Sequence, residues 1–174
     1  MTVAEAIAEF LAEKEIGHAF GIIGAGNVAL FDAIARLGKT KIVCCHHEAA
    51  AVMAATYYGR YRGGIGVAIV TTGAGSSNAI TGALAAHMDS APVLILSGNE
   101  PSKYLEMEPT RVTGVQGFHT ARVAQHVCKE AWRVTHAGTN SGRASLETAY
   151  EDALSGRPGP VWIDFGRDVF NAVG

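Results

Sequence analysis

Lys41-Ile42-Val43-Cys44-Cys45-His46-His47-Glu48-Ala49-Ala50-Ala51-Val52-Met53 changes character midway. After Lys41, the residues Ile42 to Cys45 are apolar and β-branched enough for a strand, and the alanine run after Glu48 favours a helix. Lys41–Cys45 therefore reads as a strand and His47–Tyr61 as the helix that follows it. Glu48 falls at the junction, at the carboxyl end of the strand, where open α/β sheets bind their ligands. Beside apolar Val43, Ala51 and Val52, hydrogen bonds to that carboxylate are strengthened.

The same alternation extends in both directions. Upstream, Thr2-Val3-Ala4-Glu5 is a capping-box signature, and Val3, Ile7, Phe10 and Leu11 follow at helical spacing. His18–Ile23 reads as a strand ending in Gly24-Ala25-Gly26. Asn27 is the expected cap of a second helix, closed by Gly38. Downstream, Gly66–Thr71 reads as a strand, Thr72-Gly73-Ala74-Gly75-Ser76-Ser77-Asn78 opens a small-residue helix to about Met88, and Pro92–Ser97 is another strand. Gly98 to Phe118 shows no periodicity, and a loop of that length in a compact domain is usually functional. Glu130–Val134, a helix over Ser145–Ser155 stopped by Gly156, and the strand Pro160–Phe165 complete the chain. Strict β–α alternation predicts one α/β domain over residues 1–174, a three-layer doubly wound parallel sheet of about six strands with helices on both faces.

Bulk properties narrow the function. Fourteen Lys and Arg against sixteen Asp and Glu give a net charge of -2, with no electrostatic footprint for nucleic acid or an anionic membrane. Apolar runs such as Val67–Val70 and Pro92–Leu96 are strand-length, no apolar run is long enough to span a membrane, and the N-terminus lacks a signal-peptide pattern. Three cysteines, Cys44, Cys45 and Cys128, do not form a disulfide framework. Cys44 and Cys45 read as buried strand residues. A cytoplasmic protein is expected. No Cys-x-x-Cys or His-Glu-x-x-His spacing supports a metal site of its own.

In a parallel sheet every strand-to-helix loop emerges at one edge. That edge carries Gly24-Ala25-Gly26, His46-His47-Glu48 and Thr72–Asn78. Two readings compete. Gly24-Ala25-Gly26-Asn27-Val28-Ala29 fits G-x-G-x-x-A after a strand, with an acid, Glu48, roughly 20 residues further on, as an NAD- or FAD-binding oxidoreductase domain would have it. That reading leaves the second glycine loop and the long segment after Gly98 unexplained. A non-catalytic binding module is the third option. Taken alone, Glu48 reads first as an acid complementing a helix N-terminus.

The chain also resembles the pyrimidine-binding, N-terminal domain of thiamine-diphosphate-dependent enzymes, in the acetohydroxyacid synthase and 2-oxo acid decarboxylase group. The resemblance covers essentially the whole chain. It rests on Phe20-Gly21-Ile22-Ile23-Gly24, His47-Glu48-Ala49-Ala50-Ala51, Thr71-Thr72-Gly73-Ala74-Gly75-Ser76-Ser77-Asn78-Ala79, Met88-Asp89-Ser90-Ala91-Pro92, Leu96-Ser97-Gly98 and Gly156-Arg157-Pro158-Gly159-Pro160-Val161, in this order.

The resemblance implies that Glu48 hydrogen-bonds N1′ of the cofactor's aminopyrimidine, and that a proton shared there activates the thiazolium carbon. It places Gly24, Thr72, Ala74 and Asn78 around the cofactor. Gln116 and His119 are the substrate-side candidates. From the residues alone, Asn78 is equally a helix cap, and Gln116 equally a solvated loop residue. Ile22-Ile23 stand where many relatives carry Tyr-Pro, and Ala74 where they carry proline, so an altered pocket wall is implied. Either of His46 and His47 could relay protons near neutral pH, or simply pack or face solvent.

One family feature is missing. The Gly-Asp-Gly and downstream Asn that hold the Mg2+ and the diphosphate do not occur; Gly166-Arg167-Asp168 is not that motif. A diphosphate needs a hard cation with oxygen ligands. The resemblance therefore implies a separate diphosphate-binding subunit carrying Gly-Asp-Gly, in a heterotetramer, or a longer protein of which this is a part. The expected reaction is decarboxylation of a small 2-oxo acid with carboligation, as in acetolactate synthase, or simple decarboxylation, as in split enzymes such as sulfopyruvate decarboxylase.

Overall fold

A computed structural model describes residues 1–106, 114–136 and 138–173. Strands β1 (His18–Gly21), β2 (Lys41–Cys44), β3 (Gly66–Val70), β4 (Val93–Asn99), β5 (Glu130–Val134) and β6 (Pro160–Gly166) form one sheet in the order β2-β1-β3-β4-β6-β5. Every neighbouring pair is parallel. The helices are α1 (Val3–Glu13), α2 (Val28–Leu37), α3 (Glu48–Arg62), α4 (Ala74–Met88), α5 (Ser102–Leu105), α6 (Thr120–Ala124) and α7 (Thr139–Leu154). The α/β class, the parallel sheet and its three layers are as expected from the sequence.

Burial follows from the strand sequences. In β3, β4 and β6 every residue is buried, as near-continuous apolar strands covered on both faces must be. Val67, Ile69, Leu94, Leu96, Val161 and Ile163 point to one face and pack with residues of α1, α2 and α7. Ala68, Val70, Val93, Ile95 and Trp162 point to the other and pack with α3, α4 and α6. Alanine and glycine let α3 and α4 come close. A Cβ on Gly82 would lie 2.7 Å from Val52 Cβ. The same helices leave Tyr57, Tyr61, Leu84 and Met88 exposed.

The chain leaves β1 toward β2 on one side and leaves β3 toward β4 on the other. Because β1 and β3 are neighbours, the sheet's topological switch lies between them, and the crevice outside their carboxyl ends is the expected ligand site.

The differences from expectation have local causes. Strand β4 continues to Asn99 because Gly98 and Asn99 still pair with Phe165 and Gly166. Helix α7 starts at Thr139 rather than Ser145. Weak helix formers Asn140, Ser141 and Gly142 hide its first turns in the sequence, and tertiary contact with Val3 holds Gly142 in place. The aperiodic stretch holds α5 and a 3-10 turn, Val115–Gly117; its residues 107–113 lie outside the described residues. Among the described residues no helix is long and apolar enough to cross a membrane.

The cysteines differ as well. β2 is an edge strand, so Cys44 is exposed rather than buried and Cys45 is half-buried; Cys128 is buried. Burial pushes the Cys128 thiol up to about 12. Desolvation, and then Cys44 beside it, raises Cys45 too. With Ellman's reagent at about pH 8, where thiolate fraction and access set the rate, Cys44 is expected to react first. Cys128 should react only after denaturation, as read by peptide mapping.

Candidate active site

Three loops meet at the switch. In the first position of α3, Glu48 is only 8% exposed. Before it, His47 occupies the N-cap in an extended conformation, and its Nδ1 accepts from Ala49 N at 3.2 Å. This capping engages the His47 ring, and both His46 and His47 are exposed. Glu48 Oε2 accepts a hydrogen bond of 3.0 Å from Asn78 Nδ2. Asn78 lies inside α4, past its first turn, so it caps nothing and instead links α4 to α3 through the carboxylate.

Among the described residues no hydrogen bond reaches Glu48 Oε1. It faces Gly75, where a Cβ would stand 3.1 Å away. Because Gly75 has no side chain, its backbone packs close to this oxygen and to Thr71 Cγ2. One carboxylate oxygen is thus oriented by the protein, and the other has no hydrogen-bond partner among the described residues.

The first glycine loop is braced from within. Asn27 is fully buried and makes no cap bond to α2, contrary to expectation. Its Oδ1 accepts from Gly24 N at 2.8 Å and its Nδ2 donates to Ile22 O at 3.0 Å. Gly26 N donates to Thr71 Oγ1 at 3.3 Å, and Asn27 N to Gly24 O at 3.1 Å. A Cβ on Gly24 would run into the Thr71 side chain, and one on Gly26 would lie 2.7 Å from Gly98 O. Gly24 lets the loop pack against the Thr71 side chain, and Gly26 lets it pack against the Gly98 backbone and Thr72. Gly24 N, Gly26 N and Asn27 N are thus already donated within the protein, which weakens the dinucleotide reading, since a pyrophosphate is held by free amides of such a loop.

The β3 loop carries the remaining contacts. Gly73 has φ 55°, and a Cβ there would lie 2.8 Å from Gln116 Cα, so two backbones touch. Thr72, 8% exposed, donates through Oγ1 to Gln116 Oε1. Ser76 Oγ donates to Thr71 O at 2.6 Å. Ala74 is exposed at the start of α4.

Residues 1–127 match the family described as thiamine pyrophosphate enzyme, N-terminal TPP binding domain. The chain belongs to this family. It is 33% identical over 168 residues to the acetolactate synthase large subunit of Haemophilus influenzae, covering 97% of this chain and 28% of that protein. It is 34% identical over 175 residues to an acetolactate synthase of Arthrospira platensis, covering 99% and 29%. The isozyme 3 large subunit of acetolactate synthase from Escherichia coli is 33% identical over 168 residues, covering 97% and 28%. The chain spans roughly three-tenths of the length of these relatives.

Within this thiamine pyrophosphate family domain, the structure brings Glu48, Gly75 and Asn78 together, sets Gly24 against Thr71, and joins Thr72 to Gln116. Gln116 and Gly117, with Glu100 and Tyr104, border a cavity of about 370 Å3. His119 follows on the same segment and is exposed. Partial burial, then the charges of Arg133 and Arg122, hold its imidazole below the ordinary value; Asp164 opposes them. The sequence reading missed Gly75 and the bracing by Asn27. A glycine at the first turn of a helix, where its flexibility is a cost, was the available sign of the first. Among the described residues no group of three or more His, Cys, Asp or Glu side chains could hold a metal ion.

Proposed function

We propose that this chain binds the aminopyrimidine end of thiamine diphosphate, with Glu48 as the proton partner of N1′, in an enzyme that decarboxylates a 2-oxo acid and joins the product to a carbonyl acceptor. The observation that carries this is the divided carboxylate: Oε2 held by Asn78, and Oε1, packed beside Gly75, without a hydrogen-bond partner among the described residues. When bound, the cofactor supplies the carbanion chemistry, and the protein supplies position and electrostatics. Glu48 gives or takes a proton at Oε1. Asn78 fixes the plane of the carboxyl group. Gly24, Thr72 and Ala74 wall the ring, and Gln116 and His119 lie on the substrate side. Carboligation is favoured over simple decarboxylation because the relatives named above are acetolactate synthases.

The diphosphate and its Mg2+ are held by a partner subunit with a Gly-Asp-Gly motif and a downstream Asn, in a heterotetramer. These 174 residues contain no Gly-Asp-Gly, so the diphosphate site lies outside them. The surface supports a partner: exposed Tyr57, Tyr61, Leu84 and Met88 lie on α3 and α4, the helices that carry Glu48 and Asn78. Calorimetric titration tests the reading. Thiamine diphosphate with Mg2+ is titrated into this chain, into a co-purifying Gly-Asp-Gly chain, and into their mixture. The mixture is expected to bind at least about tenfold more tightly than either chain, as a shared site requires. Equal binding by the co-purifying chain alone, or tight binding of a nicotinamide or flavin dinucleotide by this chain, would overturn it.

A further inference from the structure

A carboxylate lies buried in the sheet, away from Glu48. Asp164 interrupts the apolar run of β6 and is fully buried, with Ser97, Asn99, Thr120 and Trp162 around it, all equally buried. It accepts from Ser97 Oγ at 2.6 Å, from Asn99 Nδ2 at 2.8 Å and from Arg133 Nε at 3.1 Å. Ser97 Oγ in turn accepts from Trp162 Nε1 at 2.8 Å. Burial pushes the Asp164 carboxyl up, against the hydrogen bond of Ser97 and the charge of Arg133. A buried ion pair is weak evidence for stability, because well-packed apolar residues do as well or better. Such a group is better explained by a specific arrangement it enforces.

The arrangement it reaches is the loop over the site. Asn99 is the junction. Its Nδ2 also lies 3.3 Å from Phe118 O and 3.4 Å from Thr120 Oγ1, while its Oδ1 accepts from Glu100 N at 2.8 Å. Phe118 follows the 3-10 turn whose Gln116 receives the Thr72 hydrogen bond. A continuous path of polar contacts thus runs from the rigid strands β4 and β6 through Asn99 to the Gln116–Thr120 segment, and from Gln116 to the β3 loop.

We infer that Asn99, anchored by Asp164, is a positioning residue that holds the Gln116–His119 segment in register over Thr72 and so sets how the site receives the 2-oxo acid. This rests on the proposed function for its substrate, but not for its first readout. Asn99→Ala in the full chain should speed amide hydrogen exchange at residues 115–120 by about tenfold or more, while Val93–Leu96 change by less than about twofold. In the assembled complex with thiamine diphosphate and Mg2+, KM for the 2-oxo acid should rise about tenfold with kcat and cofactor affinity nearly unchanged, as for lost substrate positioning. Asn99→Gln, which keeps the amide, should recover part of both effects. If Asn99→Ala does not fold, Asn99→Ser, which keeps one donor toward Asp164 but cannot span to Phe118, takes its place. Unchanged exchange at 115–120, or acceleration spread evenly over the sheet, would overturn the inference. So would an unaltered KM. If the wild-type complex turns over no 2-oxo acid, the functional reading fails, while the exchange result still decides whether Asn99 holds the loop.

Discussion

Glu48→Gln is expected to cut turnover of the assembled enzyme by a factor of about a hundred or more, the usual range for losing a general acid–base group, while the chain stays folded. The substitution is nearly isosteric. A glutamine still offers an oxygen to the Asn78 amide, so the link between α3 and α4 survives. The first turn of α3 loses one acid, worth roughly 0.3–1 kcal/mol at a helix N-terminus. For a domain of this size that shifts the melting midpoint by no more than about 4 °C. What the glutamine cannot do is exchange a proton at the second oxygen. Turnover of the complex and a circular-dichroism melt, taken together, separate chemistry from folding. Full activity in the variant would remove Glu48 from the proposed role, and a collapsed melt would show a structural one. Asn78→Ala should be milder, because it frees the carboxylate to rotate without removing its proton.

The fold was readable because its signals are redundant. Val67–Val70, Val93–Leu96 and Val161–Ile163 are apolar runs too short for helices, and each is separated from the next by alanine- or glycine-rich stretches. The loops were readable as a set, since topology alone brings them to one edge. Their internal wiring was not. Asn27 has the residue type and position of a helix cap, and only the burial of its side chain under Ile22 and Gly24 shows that it braces the turn. Asn78 carries the same ambiguity, resolved when α3 and α4 pack and put its amide on Glu48. Helix α6 has five residues and no period to read; Thr120 and Ala124 belong to it because of what they pack against. Asp164 stands out as a charge inside the run Val161-Trp162-Ile163-Asp164-Phe165, but its partners Ser97, Asn99 and Arg133 lie on other strands and no local pattern joins them.

Gly98→Ala is expected to destabilise the chain by about 3 kcal/mol or more, the upper end for overpacking, which corresponds to a fall in melting midpoint of roughly 6–12 °C. A Cβ there would overlap the Gly26 carbonyl and stand 2.9 Å from Asn27 N. Both obstacles are backbone. Gly98 cannot yield, because it sits within β4 and pairs with Phe165 of β6. Gly26 cannot yield either, because its amide is bonded to Thr71 and the adjacent Asn27 is buried. Gly64→Ala is the control: nothing lies within 4 Å of a Cβ there, so its effect should stay within the roughly 0.5 kcal/mol of an ordinary surface change. Urea titration of both variants measures the difference. The comparison with Gly26→Ala then discriminates between the uses of the first glycine loop. If Gly26 existed to admit a nucleotide, its replacement would leave stability intact. If it exists to let two loops cross, Gly26→Ala and Gly98→Ala should each lower stability, and the double variant should fall short of their sum, because both strain one contact.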